Sequence, residues 1–355
     1  MNNKEFLDVQ KAFSELLGLP GYEDEVSSFI LKKISPFVDK AWKDPLGNIL
    51  AIKEGTDKDA GQRILLDAHM DEVGFMISHI ESSGFLRFTP LGGFDNRIFL
   101  ASSIKIQNSR GEHFHGVIGV KPPHLLKEEE KNLPISVSDL YIDIGMFSKQ
   151  EVLDFGIDIG SVGTLYDPFL ELPNGMIRGK ALDDRVGCNI MIQIAKILYE
   201  HGPLKDSVLY SFSVQEEVGL RGARTAAYSL DPTIALAIET TTAGDTPNIP
   251  ENESPVSVNK GPSITLADNT IISNPKVNNR LVKNAQIENV LFQYKKPKFG
   301  GNNAGVIHLT KQGIPTSVVS VPCRYLHTSV SMLKISDIQE AIKLIDVFIR
   351  NPAEV

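Results

Sequence analysis

The stretch "LYSFSVQEEVGLRGA", Leu209 to Ala223, decides the fold. Aromatic, β-branched and apolar residues run straight into two adjacent carboxylates, Glu216 and Glu217, and then into a Gly-containing turn. Such a run reads as a buried strand, and two like charges at its end would repel and take up protons unless something positive met them. In a regular strand neighbouring side chains point to opposite faces, so the chain must turn early for both glutamates to reach one place.

Other short apolar runs accompany this one: Ile64–Leu66, Ile234–Ile238 and Ser317–Val321. Two helical patterns lie among them, "DRVGCNIMIQIAKILYE" with Val186, Ile190, Ile194 and Leu198 on one face, and the C-terminal "SDIQEAIKLIDVFIRN". The alternation predicts an α/β fold, a sheet covered by helices. Between about Val73 and Leu165 the character changes to short strands rich in Gly, Pro and Ser, as in "RFTPLGGFDNRIFLASSIKIQNSRGEHFHGVIGV". That region predicts an inserted all-β, barrel-like domain over residues 73–165, with residues 1–72 and 166–355 forming the main domain. Within the insert "KEEEKN", Lys127 to Asn132, reads as a solvated loop.

The 355 residues, 42% of them hydrophobic, suffice for a large core, and no apolar run reaches the length of a membrane span. A formal charge of −8, without clustered Lys and Arg, argues against a nucleic-acid partner. The N-terminal "MNNKEFLDVQKAFSELLGL" has Phe6, Val9, Phe13, Leu16 and Leu17 at helical spacing and reads as an amphipathic docking helix, not a signal peptide. Cys188 and Cys323, far apart and each in apolar context, read as buried thiols of a cytoplasmic protein.

Each apolar run is followed by residues that carry chemistry. Asp67, His69 and Asp71 accompany the first; Asp183 and Asp184 follow "GMIRGKAL"; Glu216, Glu217, Glu239 and His327 follow the others. In an open α/β sheet, sites form in the crevice at the carboxyl ends of strands, so these distant residues can converge. Two imidazoles and several carboxylates without thiolate suit Zn²⁺, Co²⁺ or Mn²⁺. Their number exceeds what one catalytic ion needs and predicts two, about 3.5–4 Å apart. Taken singly the residues have plainer readings, Asp184 as a helix N-cap and Glu216 and Glu217 as a solvated turn; the HxH pair His113/His115 in the insert has metal-ligand spacing, but no carboxylate is placed to meet it.

The strings "DAHMDEVGFMI", "GKALDDRVG", "QEEVGLRGA", "GGNNAGVIHLTKQGIPT" and "PCRYLHTSVSM", in this order around an all-β insert, resemble the tetrahedral aminopeptidases. These are the glutamyl, leucyl and deblocking aminopeptidases of the co-catalytic zinc exopeptidase clan. The resemblance covers nearly the whole chain and implies a phosphorylase/hydrolase-like catalytic domain. It makes Asp183 the carboxylate shared by two divalent ions, zinc or cobalt, with manganese a further candidate. His69 and Glu239 would complete one shell, Glu217 and His327 the other. Glu216 matches the general base and Asp71 the acid that orients His69. The implied reaction is removal of the N-terminal residue of short peptides, with a metal-bridging water as nucleophile. The implied assembly is a dimer through the β insert and then a hollow tetrahedral dodecamer.

Two positions depart from the family pattern. Glu239 stands where most of these aminopeptidases have Asp, and Asn303 where many have Asp. In the wider clan the longer carboxylate accompanies carboxypeptidases and deacylases. An N-acyl amino acid deacylase or carboxypeptidase-like amidohydrolase on the same two-metal site is therefore the alternative. A glycoside hydrolase using paired glutamates without metal, and a non-catalytic metal scaffold, complete the contrasts.

Overall fold

The structure, a computed structural model, describes residues 3–128, 134–297 and 300–355. Of the charge cluster read as a solvated loop, residues 129–132 lie outside the described residues. The chain opens with helices α1 (Asn3–Glu15) and α2 (Asp24–Ile34) and strands β1 (Lys40–Lys43), β2 (Ile49–Lys53) and β3 (Arg63–His69). It then builds six strands, β4 (Gly74–Ile80), β5 (Leu86–Leu91), β6 (Ser103–Gln107), β7 (His113–Gly119), β8 (Tyr141–Asp143) and β9 (Val162–Leu165), with the short helix α3 (Lys149–Asp154). These close into a barrel in the order β4-β5-β8-β7-β6-β9, filled by Phe75, Ile77, Phe88, Phe99, Ile104 and Ile142. Closure leaves no unpaired edge on the inserted sheet.

After the barrel come β10 (Leu170–Leu172), β11 (Met176–Gly179), helix α4 (Leu182–His201), β12 (Ser207–Ser213), α5 (Arg221–Leu230) and β13 (Ile234–Thr242). The chain ends with β14 (Ser263–Thr265), α6 (Pro275–Ile287), β15 (Gln293–Lys295), α7 (Ala304–Ile307), β16 (Thr316–Cys323), β17 (Ser331–Lys334) and α8 (Ile335–Arg350). The main sheet is mixed, in the order β1-β2-β12-β3-β13-β16-β14-β15. Its four central strands, β12, β3, β13 and β16, run parallel and so share one carboxyl edge.

These centres are apolar on both faces because helices cover both. Every residue of β12 is buried, and each large apolar side chain there contributes roughly 1.5–3 kcal/mol relative to exposure. Helix α4 differs from the single-faced pattern expected. Besides Val186, Ile190, Ile194 and Leu198 it buries Cys188, Met191, Ile192 and Ala195, because α1, α2 and α8 pack against it while it lies on the sheet. In α1, Phe6, Val9 and Phe13 are buried at helical spacing, as its amphipathic pattern predicts. No helix among the described residues is long and apolar enough to cross a membrane. Both cysteines are buried and unpaired.

Candidate metal centre and active site

Strand register brings the first residues together. His69 ends β3 level with Ser213, the end of β12. In β13, Ala237 is level with Asp67, so Glu239, two residues on, comes level with His69 on the same face. The strand expected to stop at Ile238 continues to Thr242, which places Glu239 inside a rigid element.

The paired glutamates reach the same crevice because the chain leaves its pleat at once. Gln215, two residues past β12, is left-handed at φ 56°, which ends the alternation of faces. The Asp71 carboxylate then fixes the turn: its two oxygens accept the Glu216 and Glu217 backbone N–H groups at 2.9 and 3.0 Å. Glu216's carbonyl accepts the N–H groups of Gly219 and Leu220 and closes it.

Asp183 sits between the two imidazoles. One oxygen lies 3.5 Å from His69 Nε2 and the other 3.2 Å from His327 Nε2. Glu239 stands beside His69 at 3.9 Å and Glu217 beside His327 at 3.3 Å. Thr240 donates its hydroxyl to Asp183 at 2.7 Å, which holds the carboxylate's rotation. Each ring is oriented from behind. His69 Nδ1 faces the Asp71 carbonyl oxygen at 3.0 Å, with the Asp71 carboxylate at 3.5 Å, and His327 Nδ1 faces the Gly93 carbonyl at 2.8 Å. A donor N–H at each Nδ1 leaves Nε2 a lone pair aimed inward. Gly93 lies between the barrel strands β5 and β6, so the barrel helps to set the imidazole of the loop after β16.

His327 itself adopts φ 58° in the loop after β16, and Arg324 anchors that loop through a two-pronged pair with Asp245 at 2.9 and 2.7 Å. On the Asp183 side a buried ionic knot holds the chain. Glu72 accepts Lys180 Nζ at 2.8 and 2.9 Å, Arg185 at 2.8 Å and the Thr164 hydroxyl at 3.1 Å. Arg185 also donates to the carbonyls of Phe13, Leu16 and Met70. Asp183 lies between the two cations in sequence, clamped from both sides. Sequence reasoning missed this knot, although "DAHMDE" and "GKALDDR" each place charge inside apolar flanks.

It also missed the position of Asp184. The N-cap of α4 is Ala181, and Asp184 is fully buried, accepting among the described residues only the Gly187 N–H at 3.3 Å. Ligand atoms of His69, Asp184 and Glu239 lie within 4.8 Å of one another, as do those of His69, Asp183 and Glu217. The HxH pair behaves otherwise: His113 pairs with Glu25 at 2.9 Å, and His115 packs on Tyr166. Asn303 donates to Asp67 at 2.8 Å beneath the site.

The electrostatics show a site short of positive charge. Burial pushes Glu217, Glu239 and Asp184 well above the usual carboxylate range, and burial followed by Asp71 and Asp183 brings Glu216 to about 7. Burial would lower His327, but Asp183 and Glu217 outweigh it and raise the ring to about 9. Asp183 is held far below its usual range despite burial, by hydrogen bonds from His327 and His69. Glu239 Oε1 and Asp184 Oδ2 are buried with no hydrogen-bond partner among the described residues. Oxygen and imidazole donors, orphaned carboxylate oxygens and excess negative charge together fit divalent cations. The cluster opens on a cavity of about 360 Å³ whose wall includes Leu220, Thr240, Thr270, Lys295 and Leu326.

Comparison with known proteins places the chain among the peptide hydrolases. Residues 47–344 match the family described as M42 glutamyl aminopeptidase. The lysyl aminopeptidase of Pyrococcus furiosus is 32% identical over 345 residues, 95% of this chain and 94% of that one. The TET aminopeptidase of a marine-sediment Thaumarchaeota archaeon superposes with TM-score 0.95 at 33% identity, covering 99% of this chain and 98% of that one. The TET1 peptidase of Pyrococcus horikoshii, described as able to assemble into a tetrahedron or a large octahedral shell, gives TM-score 0.85 at 32% identity over 97% and 98% of the two chains. The chain belongs to the M42 aminopeptidase family.

Proposed function

We propose that this chain is a dinuclear-metal aminopeptidase that removes the N-terminal residue of short peptides. The observation that carries the reading is Asp183, whose two oxygens face two different imidazoles at 3.5 and 3.2 Å. In this reading Asp183 is shared between two divalent ions, zinc or cobalt, with manganese a third candidate. His69 and Glu239 would hold one ion, and His327 and Glu217 the other. When bound, the ions polarise the scissile carbonyl and make the attacking water acidic enough to work at neutral pH.

The chain's own groups do the rest. Glu216 lies beside the ligands, and its carboxylate makes no hydrogen bond among the described residues, so it is free to take the water's proton and return it to the leaving amine. Asp71 keeps Glu216 and Glu217 in place through their N–H groups. The cavity wall carries the carboxylates of Glu216 and Glu217, and this acidic lining suits a substrate's free α-amino group, which restricts cleavage to the first residue. The likeness to a peptidase that assembles into a tetrahedron or a large octahedral shell supports self-association of this chain; a dimer through the barrel, a hollow dodecamer and a cytoplasmic location belong to the same proposal.

The longer carboxylate at Glu239 favours the second reading, an N-acyl amino acid deacylase or carboxypeptidase-like amidohydrolase. A panel of aminoacyl anilides, N-blocked anilides and C-terminal substrates, run with and without chelator, separates the two. Cleavage of free-amino substrates alone, abolished by chelation, is the expected result; turnover of blocked substrates alone would overturn it.

A further inference from the structure

The N–H groups that follow β12 have no backbone acceptor among the described residues, and side chains from three other segments take them in turn. Asn48 Oδ1 accepts Val214 at 2.9 Å, Glu23 Oε1 accepts Gln215 at 3.1 Å, and the two oxygens of Asp71 accept Glu216 and Glu217. Buried amides need acceptors, and here the acceptors also decide where the chain goes. Glu23 holds the amide that matters most to direction. Gln215 is the residue at φ 56°, a left-handed conformation that side chains of its kind rarely adopt.

Glu23 is built for that contact. It stands at the N-cap of α2, yet its side chain does not cap that helix. The same oxygen that accepts Gln215 also accepts the Gly21 N–H at 2.8 Å, which steadies it, and the residue is only 6% exposed. Burial raises its carboxyl to about 7, and the charge of Asp71 adds to the rise. Two carboxylates crowded against one turn are unfavourable for stability alone, an arrangement that active sites share. Glu216 depends on this turn more than its neighbour does. Glu217 faces His327 at 3.3 Å, whereas the Glu216 carboxylate makes no hydrogen bond among the described residues, so the course of its backbone aims it. Resting on the aminopeptidase reading above, we propose that Glu23 is a positioning residue for the reaction: by accepting the Gln215 N–H it holds the left-handed turn and so points the Glu216 carboxylate at the attacking water. It acts through the backbone and does not line the cavity.

The test is steady-state cleavage of leucine p-nitroanilide by the zinc- or cobalt-loaded protein, read together with metal content and the urea midpoint. Glu23→Ala should lower kcat on the order of 10²-fold, the cost of a misplacement of about 1 Å, with KM and metal content unchanged because Asp71 still holds Glu217. Glu23→Gln keeps an acceptor oxygen at the same reach and should recover most of that loss. Asn adopts the left-handed region more readily than Gln, so Glu23→Ala should cost less in a Gln215→Asn background than in the native one, a coupling that general destabilisation does not produce. Where Glu23→Ala does not fold, Glu23→Asp, one methylene shorter, withdraws the acceptor and should show the same fall in kcat. Native kcat in Glu23→Ala, a Glu23→Gln protein as slow as Glu23→Ala, equal losses in the two backgrounds, or a loss accounted for by lower metal content overturns the proposal. Each of these results leaves cleavage by the native protein, and with it the aminopeptidase reading, intact. No cleavage of the anilide by the native protein refutes that reading and this inference with it.

Discussion

Replacing Glu72 by Gln removes the sole carboxylate from a buried knot that contains two cations. Lys180 and Arg185 are 1% and 0% exposed, and both reach Glu72 at 2.8 Å. The local charge of the native knot is one negative against two positive groups; Glu72→Gln leaves two cations unopposed, whereas Lys180→Met leaves a neutral Glu72–Arg185 pair. Stranding a buried charge costs about 3–5 kcal/mol, so Glu72→Gln should lose that much in a urea titration. Lys180→Met should lose less, about 1–3 kcal/mol, for its contacts with Glu72 and the Leu16 carbonyl. Burial alone would raise Glu72, but Arg185 and Lys180 hold it below the usual glutamate range, while burial brings Lys180 down to about 8. At pH 7 Glu72 is therefore ionised and Lys180 still protonated. Because the folded pKa of Glu72 is lowered, its contribution is complete above the unfolded value and disappears as pH falls through the folded one. The gap between native protein and Glu72→Gln should thus close only in acid, below about pH 4. A Glu72→Gln loss smaller than that of Lys180→Met, at neutral pH, would refute the reasoning.

Other consequences are as concrete. Glu216→Gln should keep metal content and fold but lower kcat by about 10²–10⁴-fold, measured on an aminoacyl anilide; native turnover would remove Glu216 as the base. A methyl group at Gly187 would lie 2.5 Å from Asp184 Oδ2, so Gly187→Ala must displace that carboxylate. It should weaken metal binding by about tenfold or more in a competition titration, since partners behind ligands are worth that much; unchanged affinity would show that Asp184 does not matter to the site. Adding zinc or cobalt at about 100 times its dissociation constant should stabilise the chain by roughly 2.7 kcal/mol per independent site, seen as a higher urea midpoint. No shift would contradict the fit between the cluster and divalent ions.

Much of the fold was legible because the helix-covered parallel strands are largely apolar. Val208–Val214 and Ser317–Val321 announce themselves for that reason, and the loss of helical periodicity after Val73 marks the barrel. Five of the six clustered side chains were legible because each follows or ends such a run; strand register brings His69 and Glu239 together, while turns and loops after the strands deliver Glu216, Glu217 and His327, and Asp183 comes from the start of α4. What stayed hidden depends on packing between distant segments. Asp184 looks like a helix cap because the first turn of α4 is irregular in a way no spacing reveals. The orienting groups, the Gly93 carbonyl and the Asp71 main chain, carry no side-chain signal at all.

The central claim is that Asp183 serves two ions at once, and metal stoichiometry tests it most directly. Equilibrium dialysis of the protein with zinc or cobalt, followed by elemental analysis, should give two ions per chain. Asp183→Asn should weaken both sites together, while His69→Ala and His327→Ala should each spare the other's ion. One ion per native chain, or an Asp183→Asn protein that still holds two with undiminished affinity, would contradict the account.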